Sequence, residues 1–131
     1  RATRLAVSAG EVLGYGSLVW RSDHHAFAAA GIPETNDLVT AAAHRGRGGA
    51  TRLIAEFEAL AVAAGCRAIG LGVGLYADYG PAQRLYASLG YRPDGAGVTY
   101  RGHAVVPGSQ VALDDDLLLW LTKPLPPTGA I

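Results

Sequence analysis

From Leu53 onward the apolar residues Leu53, Phe57, Leu60, Ala61 and Ala64 recur at i, i+4, i+7, i+8 and i+11. That is one face of an α-helix, and the spacing predicts a helix from about Gly49 to Ala64, stopped by Gly65. Immediately before it stands His44-Arg45-Gly46-Arg47-Gly48-Gly49-Ala50-Thr51. Glycines there let the backbone approach a ligand closely, and the first N–H groups of a helix have no internal partners. With the helix dipole and the charges of Arg45 and Arg47, such an entry makes an anion site, suited to a phosphate or pyrophosphate. Any fold for this chain must deliver that loop and bury that face.

The flanking segments read as follows. Leu5-Ala6-Val7 and Val12 to Trp20 are strand-like, with a turn at Gly10-Glu11, and so form a hairpin. Arg21 to Thr35 reads mostly as loop, and Leu38 to Ala42 as a short third strand. Beyond the long helix, Arg67 to Val73 is a buried strand that Gly70, Gly72 and Gly74 weaken. A second helix starts at Pro81, shows Ala82, Leu85, Tyr86 and Leu89 on its apolar face, and ends at Gly90. Val98-Thr99-Tyr100 is a strand, Val105 to Asp116 a loop with a turn at Pro107-Gly108, and Leu117 to Thr122 a closing strand. Pro124, Pro126 and Pro127 end the ordered chain. Strands, helix, strand, helix, strands point to a mixed sheet with helices packed on it.

The 131 residues suit one domain. Eleven basic and eleven acidic residues balance, which disfavours a nucleic-acid partner. One cysteine, Cys66, cannot staple the domain, so a reducing, cytoplasmic setting is expected. No apolar run is long enough to span a membrane. The chain has no Met and opens Arg1-Ala2-Thr3-Arg4. It is read as a segment of a longer protein.

The phosphate ligand can be narrowed. A Walker loop needs a lysine, and the chain's one lysine is Lys123. Gly46-Arg47-Gly48-Gly49-Ala50-Thr51 lacks the last glycine of the dinucleotide fingerprint. Arg45-x-x-Gly48-x-Ala50, however, resembles the Arg/Gln-x-x-Gly-x-Gly/Ala motif of the GCN5-related N-acetyltransferase family. Downstream, Pro81-Ala82-Gln83-Arg84-Leu85-Tyr86-Ala87-Ser88-Leu89-Gly90-Tyr91 resembles that family's second signature, Ala-x-x-Leu-Tyr-x-x-x-Gly-Phe/Tyr. The order is right, and the likeness covers about Val12 to Leu125.

The resemblance implies an α+β fold with a central mixed, mostly antiparallel sheet flanked by helices, lacking here its first strand and helices. It implies acetyl-CoA as cofactor and transfer of the acetyl group to an amine acceptor, a small molecule or a protein. A homodimer is common in such folds. By the same resemblance, the backbones of Leu38, Val39 and Thr40 bond to pantetheine, and an N–H near Val39 polarises the thioester carbonyl. Arg45, Gly46, Arg47, Gly48, Gly49, Ala50 and Thr51 hold the pyrophosphate. Tyr79, Ala82 and Tyr86 complete the cofactor contacts, although many members carry Asn where Tyr79 stands.

Tyr86 is the candidate general acid for the departing sulfur, its alternative being a core tyrosine. Glu34 and Asp37 are candidate general bases, their alternative being solvated loop charges. A non-catalytic acyl-CoA sensor of the same fold is the second reading. Among the remaining residues, His24, His25 and His44 read as surface histidines and Cys66 as a packed thiol. Trp20 and Trp120 read as core or groove walls. Consecutive residues of an extended chain point to opposite faces, so Asp114-Asp115-Asp116 reads as a solvated edge and not a metal site. Tyr76 to Gly80 is expected at the cofactor mouth, and Gly95 to Gln110 above the site. Glycines 70, 72 and 74 either admit a ligand to their strand or accommodate sheet packing.

Overall fold

The computed structural model describes residues 2–8, 11–40 and 48–127. The chain forms two compact units, one running to Ile69 and resuming at Pro124, the other from Gly70 to Lys123.

In the first unit, β1 (Ala2–Ser8), β2 (Glu11–Val19) and β3 (Glu34–Thr40) form an antiparallel meander. Between β2 and β3 lies α1 (His25–Ala30), where the sequence was expected to run as loop. The helix follows from Ala26, Ala28, Ala29 and Ala30, all strong helix formers, around a buried Phe27. Gly31, at φ 69°, closes it in the left-handed conformation that favours glycine. β3 accordingly starts four residues earlier than Leu38, the start expected from the sequence.

The long helix α2 (Gly49–Ala63) falls where the periodicity put it. Its buried face is Leu53, Ile54, Phe57 and Ala61, so Ile54 replaces Leu60 and Ala64 from the predicted stripe. Burying each of the three larger side chains contributes roughly 1.5–3 kcal/mol. The face packs on β1, β2 and β3. Gly16 makes room for it, since a Cβ there would meet Leu38 Cδ1 and Phe57 Cε2 at 3.0 Å.

The second unit takes in most of β4 (Ala68–Gly74), a 3-10 helix (Ala77–Tyr79), α3 (Gly80–Ser88), β5 (Arg92–Tyr100), β6 (His103–Ala104) and most of β7 (Leu117–Pro124). Its strand order is β4-β7-β5-β6. β5 is longer than the expected Val98–Tyr100. Its pairing with β7 breaks between Pro93 and Val98, and Gly95 and Gly97 within that break have φ 85° and 82°. Those residues hid the strand, because Pro, Asp and Gly are depleted in regular ladders. Arg101 and Gly102, at φ 49° and 83°, form the tight turn into β6. Part of the segment Gly95 to Gln110 is therefore a β-hairpin. Residues 105–116 have no regular structure, as expected, and Gly108 turns there at φ 86°.

The strand glycines acquire a reason. A Cβ on Gly72 would meet the Trp120 ring at 3.0 Å, and one on Gly74 would overlap the Tyr79 ring. Both positions accommodate an aromatic ring of the same unit. Trp120 is buried and donates Nε1 to Thr99 Oγ1 at 2.9 Å. Trp20, by contrast, is 41% exposed and is no part of the core.

Candidate active site

In the first unit the candidate residues sit on β3 and at the head of α2. The ladder between β2 and β3 shifts register between Tyr15 and Ser17, where Tyr15 pairs with Val39 but Ser17 with Asn36. β3 thus carries one extra residue at Asp37–Leu38. Asp37 takes φ 52°, and its N–H bonds to Asn36 Oδ1 at 2.7 Å. Bulges of this kind free backbone groups from the ladder and recur beside active sites. The bulge falls next to Val39 and Thr40, two of the residues expected to offer backbone bonds.

The two candidate bases differ sharply. Asp37 is exposed on the bulge. Glu34 is buried, at 8% exposure, and accepts the Ser22 hydroxyl on Oε1 at 2.5 Å. Burial pushes its carboxyl above the usual range, and Asp23 and Asp37 push the same way; the Ser22 hydrogen bond and His24 pull it back in part. Glu34 is therefore no solvated loop charge. His24 is half-buried and packs edge-on against Phe27, with ring centroids 4.7 Å apart, while His25 is exposed.

At the head of α2, Gly48 adopts φ 80°, and among the described residues no side chain caps the helix. The N–H groups of Gly49, Ala50 and Thr51 take no hydrogen bond among the described residues. No acidic residue stands in the first turn. An anion is thus the natural partner of this terminus. Arg45, Gly46 and Arg47, with His44, lie outside the described residues.

In the second unit Tyr86 is buried at 9% exposure, and its hydroxyl makes no hydrogen bond among the described residues. Burial raises its pKa, so the phenol holds its proton at neutral pH. Ala82 and Tyr79 are half-buried. The Tyr79 hydroxyl donates to Asp115 Oδ1 at 2.8 Å, and Tyr76 donates to the same oxygen. This bond pushes Tyr79 up to about 12, with burial adding to it, while the two phenols hold Asp115 below the usual carboxylate range. Gln83 Nε2 donates to Gly74 O at 2.8 Å, tying α3 to the end of β4.

Asp115 and Asp116 are exposed, as a solvated edge would be, and each of the three aspartates has its own partner. Asp114 accepts from Tyr100 at 2.8 Å, Asp115 from the two tyrosines, and Asp116 faces Arg101 Nε at 3.4 Å. Among the described residues no group of three or more His, Cys, Asp or Glu could hold a metal. Sequence reading missed Ser22 and the Tyr76–Tyr79–Asp115 cluster, because pairs far apart in the chain leave no periodic trace. Asp115→Asn is expected to bring Tyr79 down from about 12 toward an ordinary tyrosine. Titration of tyrosinate absorbance checks this, and an unchanged curve would show that the phenol does not rest on Asp115.

A family model described as an acetyltransferase (GNAT) domain matches residues 3–93, a stretch that contains both motifs. Nourseothricin acetyltransferase has a similar structure, with TM-score 0.70 and 22% identity over 95% of this chain and 65% of its own. A GCN5-related N-acetyltransferase from Kribbella flavida gives TM-score 0.65 and 25% identity, over 94% and 67%. Ribosomal-protein-alanine N-acetyltransferase from Brucella melitensis gives TM-score 0.65 and 22% identity, over 94% and 68%. The chain spans about two thirds of the length of these proteins. No curated protein matches it in sequence. The likenesses identify the fold as the mixed α+β fold of these N-acyltransferases. No helix among the described residues is long and apolar enough to cross a membrane.

Proposed function

The chain belongs to the acetyltransferase (GNAT) domain family, and from that premise we propose that it transfers an acetyl group from acetyl-CoA to an amine in the cytoplasm. The observation that carries the reading is the head of α2, a glycine entry at φ 80° opening on uncapped amides in a chain of this family. It fits the pyrophosphate of an acyl-CoA, with Arg45 and Arg47 adding charge and Gly46, Gly48 and Gly49 admitting the backbone. Acyl-CoA, when bound, supplies an activated acyl group.

The chain's own residues do the rest. The backbones of Leu38, Val39 and Thr40 orient the pantetheine arm, and a backbone N–H near Val39 polarises the carbonyl. Ala82 and Tyr79 line the cofactor, Tyr79 with its ring and not with its hydroxyl, which Asp115 occupies. Glu34 takes a proton from the acceptor ammonium, so that a neutral amine attacks. Tyr86 gives its phenolic proton to the departing sulfur. Of the two carboxylates, Glu34 is favoured over Asp37 because burial raises its affinity for a proton.

Mixing the protein with acetyl-CoA and a panel of amines, and following free thiol, tests this. Amine-dependent thiol release is expected. Tight CoA binding with no turnover on any amine would turn the reading into that of a sensor.

A further inference from the structure

Ser22 lies between β2 and α1 and is 4% exposed. Its Oγ accepts the His24 N–H at 2.9 Å and stands 2.5 Å from Glu34 Oε1. With a backbone donor on one side of Oγ, the hydroxyl proton is aimed at the carboxylate on the other. Among the described residues, Glu34 Oε2 takes no hydrogen bond. Among the described residues one oxygen is thus held and the other left able to accept. His24 N–H belongs to the first turn leading into α1, where His24 N is followed by the backbone bonds of Phe27 and Ala28 to His24 O, both at 3.0 Å. The serine is therefore fixed by a helix end rather than by a loose side chain.

We propose that Ser22 is a positioning residue of the acyl transfer: its hydroxyl pins Glu34 Oε1, and Oε2 is the atom that removes the proton from the acceptor ammonium. The inference rests on Glu34 being the base. In that step an N–H bond of the ammonium breaks, its electron pair stays on nitrogen, and an O–H bond forms on Oε2. Ser22 keeps its own proton throughout. Glu34 passes from carboxylate to neutral acid, a change its buried surroundings favour. The charged groups facing it are His24 and Asp23 from the β2–α1 connection and Asp37 from β3. Ser22 holds Oε1 directly, at 2.5 Å, and so fixes how the carboxylate is turned.

The hydrogen bond stabilises the charged carboxylate, so removing it makes Glu34 a stronger proton acceptor that is less often ionised. In Ser22→Ala the acid limb of kcat/KM against pH is expected to move up by about one unit. A carbon-13 NMR titration of the Glu34 carboxyl, assigned by its loss in Glu34→Gln, is expected to move by the same amount. Ser22→Thr, which keeps the hydroxyl, restores both, and thermal melts of the variants exclude misfolding as the cause. A limb and a carboxyl titration that stay in place in Ser22→Ala, with Glu34→Gln inactive, overturn the role of Ser22 while leaving the base intact. Glu34→Gln as active as the parent overturns the base, and the role of Ser22 with it. Absence of turnover on every amine overturns the acyl-transfer reading itself.

Discussion

Replacing Tyr86 with phenylalanine is expected to lower kcat about 10²-fold, the lower end of what a positioned general acid contributes. KM for acetyl-CoA should change little, since the ring stays and the proton is needed in the transition state alone. The hydroxyl has no hydrogen-bond partner among the described residues, so its loss leaves no orphan among them. The variant should therefore melt no lower than the parent, which separates lost chemistry from lost fold. The pH profile adds a second readout. Burial raises the Tyr86 pKa, so the parent should keep its donor through neutral pH and lose rate only above the ordinary tyrosine range, near pH 10. That alkaline limb should vanish in Tyr86→Phe. A variant with full kcat and the same limb would return Tyr86 to the role of a core tyrosine.

The parts legible in the sequence were those with a period or a local motif. α2 announced itself through Leu53, Phe57 and Ala61, and α3 through Pro81 at its start and Gly90 after its end. α1 was missed although its alanines favour a helix, because at six residues it offers less than two turns of pattern around one buried side chain, Phe27. β5 was cut short because Pro93, Gly95 and Gly97 mark a break in pairing that reads as the absence of a strand. The candidate site divides in the same way. Gly48, Gly49, Ala50 and Thr51 were legible as a glycine-led helix entry, a local property of the backbone. What distinguishes Glu34 from Asp37 was not legible, since it depends on burial and on Ser22, twelve residues away along the chain. The reason for Gly72 and Gly74 likewise lies in rings that the fold brings over them, Trp120 and Tyr79.

Glu34→Gln should lower kcat/KM by about 10²–10³-fold while making the protein more stable near neutral pH. The two effects share one cause. Burial raises the Glu34 pKa in the folded state above its unfolded value. A carboxyl shifted in that direction adds full stability below the unfolded pKa, and loses it as pH rises through the folded pKa. At neutral pH the folded protein therefore carries the cost of a buried charge that glutamine does not bring. Glutamine keeps an oxygen for the Ser22 hydroxyl, so the hydrogen bond survives the change. The gain in melting temperature should be present near pH 7 and shrink toward zero at about pH 4 and below, where Glu34 is neutral as well. Melts across that range, run beside the kinetic profile, give the check. A loss of stability at neutral pH together with undiminished turnover would remove Glu34 from the chemistry. The opposite pair, a firmer but inactive protein, is what a base held in apolar surroundings produces, because the burial that destabilises its charge is also what makes it accept a proton.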